Sequence, residues 1–224
     1  IAKNYTEAES RDVAIYVAMQ MMAARRDAQA AQIEKSDPEK AAEDRALAVR
    51  ARAESAALES IMLAAIDRNG QAFAYVFEKL LTEQKFAEAE QLIPSARTAN
   101  RDQAGGNLAE ARLLLARGRA KVARGEDGIS DLQRSAAAAR RATEVAAWQN
   151  TTWRVLAESM SALGELEEAR LAYEQLVTRD PSAVNAIRNL AALHLQEGGD
   201  SSRAVALLAD ASRRFPSNVT LRES

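Results

Sequence analysis

His194 is the only histidine in the chain, and there is no cysteine. Those two side chains supply most zinc ligands and many nucleophile–base pairs, so metal and thiol chemistry have almost nothing to work with. His194 lies in an apolar row at helical spacing, which makes it a packed interhelix residue rather than a ligand or base. Carboxylates are plentiful, but Glu167-Glu168 and Glu43-Asp44 are immediate neighbours. Neighbours point to different faces of a helix, so neither pair can share a reacting group. Gly105-Gly106 lacks both the phosphate-loop Lys-Ser/Thr and the Gly-x-Gly-x-x-Gly spacing, and is read as a linker. The doublets Arg25-Arg26, Arg140-Arg141 and Arg213-Arg214 have no aromatic residues interleaved, so no nucleic-acid partner is expected. The expectation is a protein without a catalytic centre, cofactor or metal.

The elements that position these side chains are helices. Hydrophobic residues make up 47% of the 224, but many are Ala, and aromatics are only 4%. Ala has the highest helix propensity and lets backbones approach closely. Nine Gly and four Pro leave long stretches unbroken. Formal net charge is −2, too small for an overall field that would select nucleic acid or anionic lipid. No apolar run is long enough to span a bilayer, so no direct membrane insertion is expected of this chain. It opens on Ile1 rather than Met, which suggests a fragment or processed form. Periplasm and cytoplasm are both compatible.

Residues 1–8 read as a frayed lead-in. A helix follows from about Ser10 to Ile33, with Val13, Val17, Met21 and Ala24 on one face and Ile15, Met19 and Met22 widening it. The Met cluster is read as packed core. At Ser36-Asp-Pro-Glu39 either Asp37 caps with Pro38 in the first turn, or Ser36 and Glu39 form a capping box. The helix begun there runs to about Asp67, where Asn69-Gly70 supplies a left-handed ending. Its charged first half leaves the body as a solvated face. Its second half docks through Leu58, Ile61, Met62, Ala65 and Ile66.

The clearest pattern comes late. Trp153-x2-Leu156-Ala157-x2-Met160 is followed by Gly164, Ala169-x3-Tyr173 and Pro181. A second copy runs Ile187-x2-Leu190-Ala191-x2-His194, Gly198, Ala204-x3-Leu208 and Pro216. The large residues fill space between paired helices, and Ala157, Ala169 and Ala204 mark close crossings. Gly164 and Gly198 permit the reversal, Tyr173 and Leu208 pack on the next unit, and the prolines end the second helices. This spacing resembles the tetratricopeptide repeat, a pair of antiparallel helices in about 34 residues.

The resemblance implies an all-α fold, a right-handed α-solenoid of antiparallel helix pairs (a TPR-like superhelix), preceded by long N-terminal helices. The domains expected are 1–70, long helices or a hairpin docking on the solenoid, and 71–224, the repeats. Within the latter, 71–104 and 107–147 are degenerate, while 150–183 and 184–217 follow the pattern. In the 71–104 unit Phe73, Val76, Phe77 and Leu80 take the first-helix core positions and Phe86, Ile93 and Ala96 the second. Gln84 stands in for the turn Gly, and Pro94 should kink or shorten the second helix. In the 107–147 unit Leu114, Gly118, Ile129, Leu132, Ala136 and Ala139 occupy the pattern.

The family's first helices line a concave groove that takes peptides or partner helices. Carried onto this chain, the groove residues are Thr151, Arg154, Glu158, Ser161, Asn185, Arg188, Asn189 and Gln196. The Lys/Asn set with which some members clamp a C-terminal carboxylate is not recognisable. The function implied is a non-enzymatic scaffold binding another protein or peptide segment, within a larger bacterial protein or complex. The alternatives are a periplasmic arm of a secretion or exopolysaccharide-export machine, and a regulatory or oligomerisation domain of a longer enzyme. An uncovered outer face on residues 182–215 would invite a further repeat or a homo-oligomer.

Overall fold

A computed structural model describes residues 7–99, 104–196 and 200–215, and the side chains of Glu9 and Ala99 lie outside the description. Among the described residues the chain is all helix, in eleven segments. None is long and apolar enough to cross a membrane. Gly198, Pro216 and the first six residues of the expected lead-in fall outside the described residues. The chain divides into two compact units, Ile1–Arg101 and Asp102–Ser224.

The first unit is built on two 27-residue helices, α1 (Glu7–Ile33) and α2 (Pro38–Ala64). Asp37 is the cap: its carboxylate accepts from the Lys40 N–H at 3.1 Å, with Pro38 in the first turn. The two helices pack closely, and Ala41, Asp44 and Ala48 are buried. The charged half of α2 therefore does not leave the body; one face of it is seam. Its remaining charges form a solvated face, as expected, with Arg50–Glu54 within a turn and Asp27–Arg52 across the hairpin.

Ala23, Ala48 and Ala51 make the middle of that seam. Burying an Ala gains about 0.8 kcal/mol, well below a Leu or Met, so the small seam is bought with close approach rather than area. It also overturns one expectation. Met21 and Met22 are not core; they are 66% and 50% exposed, and Ile15 is 42% exposed. Alanines at the contact line bring the helices so near that larger side chains are displaced to its flanks. Asp44, 3% exposed, accepts from Arg26 at 2.6 Å and fixes a polar pairing in the seam.

At the other end Tyr16, Val13, Val17, Met62 and Ala65 form a larger cluster with α3 (Gly70–Thr82). Leu58 and Ile61 pack against it, as the sequence predicts. The Asn69-Gly70 expectation is corrected. Asn69 is extended and caps α3, accepting from Gln71 and Ala72, while α2 ends earlier at Ala65. An Asn at a helix boundary can serve either side, and here the donors of the following helix claim it. Next come α4 (Phe86–Gln91) and α5 (Ile93–Ala99), a single helix in the pattern, broken just before Pro94. Proline removes a donor and clashes with the preceding turn, so the break falls where expected.

The second unit stacks three helix pairs: α6 (Gly105–Ala123) with α7 (Ile129–Val145), α8 (Asn150–Leu163) with α9 (Leu166–Arg179), and α10 (Val184–Leu195) with α11 (Ser201–Arg214). Each helix packs on the next in sequence, and α6 also touches α8. Gly105 and Gly106 are not linker. They form the buried first turn of α6, where Ala104 packs on Ala142 and Ala146. Gly118 meets Gly128 at the next crossing, with the Gly118 carbonyl where a Gly128 side chain would begin.

The repeat positions behave as their sizes demand. Ala157, Ala169 and Ala204 are fully buried, as are Met160 and Tyr173 to within a few per cent. Tyr173 packs on Ala186 and Leu190 of the following pair, whereas Leu208 packs on Ile187 and Ala211 within its own. Trp153 packs from the edge, donating Nε1–H to the Ala147 carbonyl at 2.8 Å. His194 is a packed residue, 5% exposed.

Candidate functional site

Three first helices, α6, α8 and α10, carry the polar residues that remain once packing is assigned. On α8, Thr151, Arg154 and Glu158 recur at i, i+3 and i+7, so they share a face. On α10, Asn185 and Asn189 are one turn apart. These five residues converge on one groove of about 560 Å³, whose floor is Tyr173, Leu176 and Ala186. Asn150 at the start of α8 and Asp180 and Ser182 of the α9–α10 turn complete its lining.

The remaining sequence-predicted positions lie around it. Ser161 is half-buried one turn beyond Glu158, in a neighbouring cleft with Arg119, Val122 and Leu132. Arg188 and Gln196 are exposed but do not line the groove. Arg188 is rotated by one residue from Asn189, about 100° around α10. Gln196 is the C-cap of α10, at the opposite end from Asn185.

The charged residues lining the groove are Arg154, Glu158 and Asp180, and two further guanidinium groups lie beside it on α6. Arg119 of α6 donates to the Glu158 side chain at 3.4 Å and to its backbone carbonyl at 3.3 Å, tying α6 to α8. Arg112, further up α6, lies within electrostatic reach of Arg154 and Glu158. Burial first, and then the like charge of Arg154, push its pKa down, with Glu158 opposing. The groove also has a rigid polar point. The Asn189 amide donates to the Tyr173 hydroxyl at 2.8 Å. Burial raises the pKa of Tyr173, partly offset by hydrogen bonding with Asn189, so the phenol stays neutral.

Tyr173, Asp180 and Ser182 line the groove although repeat position alone does not predict them there, and Arg112 and Arg119 lie beside it on α6. For Arg112 the signal was present. With Leu114 set on Leu156, Arg112 falls on the slot of Arg154, and Arg188 falls on it again in the next pair. Tyr173 packs with its ring, as its repeat position predicts, while its hydroxyl faces the groove.

The repeat geometry, a small-residue crossing followed by a left-handed Gly164 at φ 81° and a return helix, now stands beside a sequence comparison. Residues 150–193 match the tetratricopeptide repeat family. No curated protein matches the chain. The tetratricopeptide match spans α8, α9 and nearly all of α10, the same helices that carry Thr151, Arg154, Glu158, Asn185 and Asn189. Tetratricopeptide repeats act in general as protein–protein interaction scaffolds, so the groove lies on the part of the chain that the family model covers.

Proposed function

We propose that the second unit is a non-enzymatic scaffold whose groove holds an extended, acidic segment of another protein. The observation that carries this reading is the repeated arginine. Arg112, Arg154 and Arg188 occupy equivalent slots on α6, α8 and α10; of these Arg154 lines the groove, and Arg119, beside Glu158, lines the neighbouring cleft. Guanidinium forks match carboxylates bidentately, while Asn185 offers both a donor and an acceptor to a peptide backbone. Asn189, already bonded to Tyr173, presents a fixed wall rather than a mobile contact. An extended ligand gains most from this arrangement, because its carboxylates can recur along the stacked helices.

The test is binding of fluorescein-labelled peptides of alternating Glu and small residues, against Gln-substituted versions, read by anisotropy. The acidic series should bind and the Gln series should not. Arg154→Glu should abolish the difference without changing helical circular dichroism. Equal binding of both series, or acidic binding that survives both Arg154→Glu and Arg112→Glu, overturns the reading.

A further inference from the structure

The first unit exposes an apolar face that nothing described within that unit covers. α1 carries two rows. One, Val13, Tyr16, Val17, Ala23 and Ala30, is buried. The other is Ile15, Met19, Met22, Arg26, Gln29 and Ile33, spaced 4-3-4-3-4. Four of the six are apolar, at the spacing by which one helix packs on another, with Arg26 and Gln29 between them. Yet Ile15 and Met22 are 42% and 50% exposed, and Leu47, which shares a cleft with Met22, is 43% exposed. Met22, Arg26, Leu47, Arg50, Ala51 and Glu54 outline a shallow cleft of about 220 Å³ along the hairpin.

The charges at this cleft indicate what covers it. Arg50 and Glu54 sit one turn apart and pair with each other at 2.7 Å. Arg26 is already held by Asp44. The rim therefore presents one positive and one negative group in line along α2. Rotation by 180° about an axis through their midpoint lays Arg50 of one copy against Glu54 of the other. A surface that complements itself under a twofold rotation is what an isologous dimer requires. We propose that a second copy of this chain docks on the Met22–Leu47 face, the two hairpins forming a four-helix bundle about a twofold axis. Two-helix hairpins have no enclosed core, and pairing them buries the second row as the first is buried. Methionine suits such a contact because its unbranched chain fills irregular gaps. This proposal is independent of the groove reading and can fail without it.

The experiment is light scattering on the size-exclusion eluate of the full chain over a range of concentrations. The wild type should show the mass of two chains, and Met22→Glu and Leu47→Glu that of one, with helical circular dichroism retained. Met21→Glu, on a different face of α1, should leave the dimer intact. Arg50→Glu should weaken association, and adding Glu54→Arg should restore it. Because the chain has no cysteine, Met22→Cys offers a single thiol, which a short bismaleimide should link between copies. A wild-type monomer at every concentration overturns the proposal. So does a dimer unaffected by both Met22→Glu and Leu47→Glu, or one that Met21→Glu dissolves.

Discussion

Gly164 and Gln84 hold the same left-handed backbone at the same place in the repeat, five residues before a buried alanine. Their φ angles are 81° and 56°. For glycine this conformation is unstrained; for a residue with a Cβ it costs about 1–2 kcal/mol. Nothing lies within 4 Å of a Cβ built on Gly164, so the cost of Gly164→Ala is backbone strain alone. It should lower stability by about 1 kcal/mol in urea melts. Gln84→Gly should act in the opposite direction. The relieved strain exceeds the added unfolded-state entropy of glycine, leaving a gain of about 0.5 kcal/mol. A loss of stability in Gln84→Gly would mean that its side chain, not its backbone, holds the turn. Tyr16 offers a second test at this scale. Burial, then Tyr75 and Glu59, push its pKa up to about 12, and its ring meets Tyr75 edge-on at 5.7 Å. A phenol whose pKa is raised on folding stabilises fully below its ordinary value of 10.0, and that stability is lost as pH rises through the folded value. Urea midpoints should fall between about pH 9 and pH 11.5, and Tyr16→Phe should shrink that fall. Tyr75, also raised, will keep it from vanishing.

At the level of elements, the tightest place is the α6–α7 crossing. A Cβ on Gly128 would sit 2.3 Å from the Gly118 carbonyl oxygen, which is backbone and cannot rotate away. Gly128→Ala must therefore shift a helix, at about 1–3 kcal/mol. Gly125→Ala, with open space around it but φ 75°, should cost only the backbone strain of about 1 kcal/mol. Thermal melts in which the two variants match would show that the crossing relaxes freely. The same contrast explains what the sequence made legible. Pro94 and Asp37 act through their own covalent geometry and nearest neighbours, so their effects could be read directly. The repeat positions Ala157, Ala169 and Tyr173 were legible because a spacing recurs. Met21 and Met22 were not, because their exposure depends on how near α2 comes, and that is set by Ala48 and Ala51 some 27 residues away. Asn69 was ambiguous for a different reason: either adjoining helix could have used it. Of the eight residues that repeat position proposes for the groove, Thr151, Arg154, Glu158, Asn185 and Asn189 line it, and Ser161, Arg188 and Gln196 do not. Arg119, in the neighbouring cleft, is not legible because its partner, Glu158, is 39 residues distant.

For the whole molecule, formal net charge is −2, so the chain has no general attraction for acidic partners. Any selectivity for them must come from the local concentration of Arg112, Arg119 and Arg154, and local exposed charges are screened by salt. The Debye length falls from about 10 Å at 0.1 M salt to about 3 Å at 1 M. Two exposed charge pairs, at Arg119 and Arg154, at about 0.5 kcal/mol each amount to about fivefold in affinity. An acidic peptide should therefore bind about fivefold more weakly in 1 M salt than in 0.1 M. The proposed hairpin dimer rests chiefly on Ile15, Met22 and Leu47, with Arg50 and Glu54 only at its rim. Apolar burial is not screened, so its dissociation constant should change little over the same range. Measured side by side, anisotropy for the peptide and sedimentation equilibrium for the dimer, the two contacts should separate by their salt response. Peptide affinity indifferent to salt would remove the arginines from the recognition step, and a dimer dissolved by salt would move its basis from the methionine row to the charged rim.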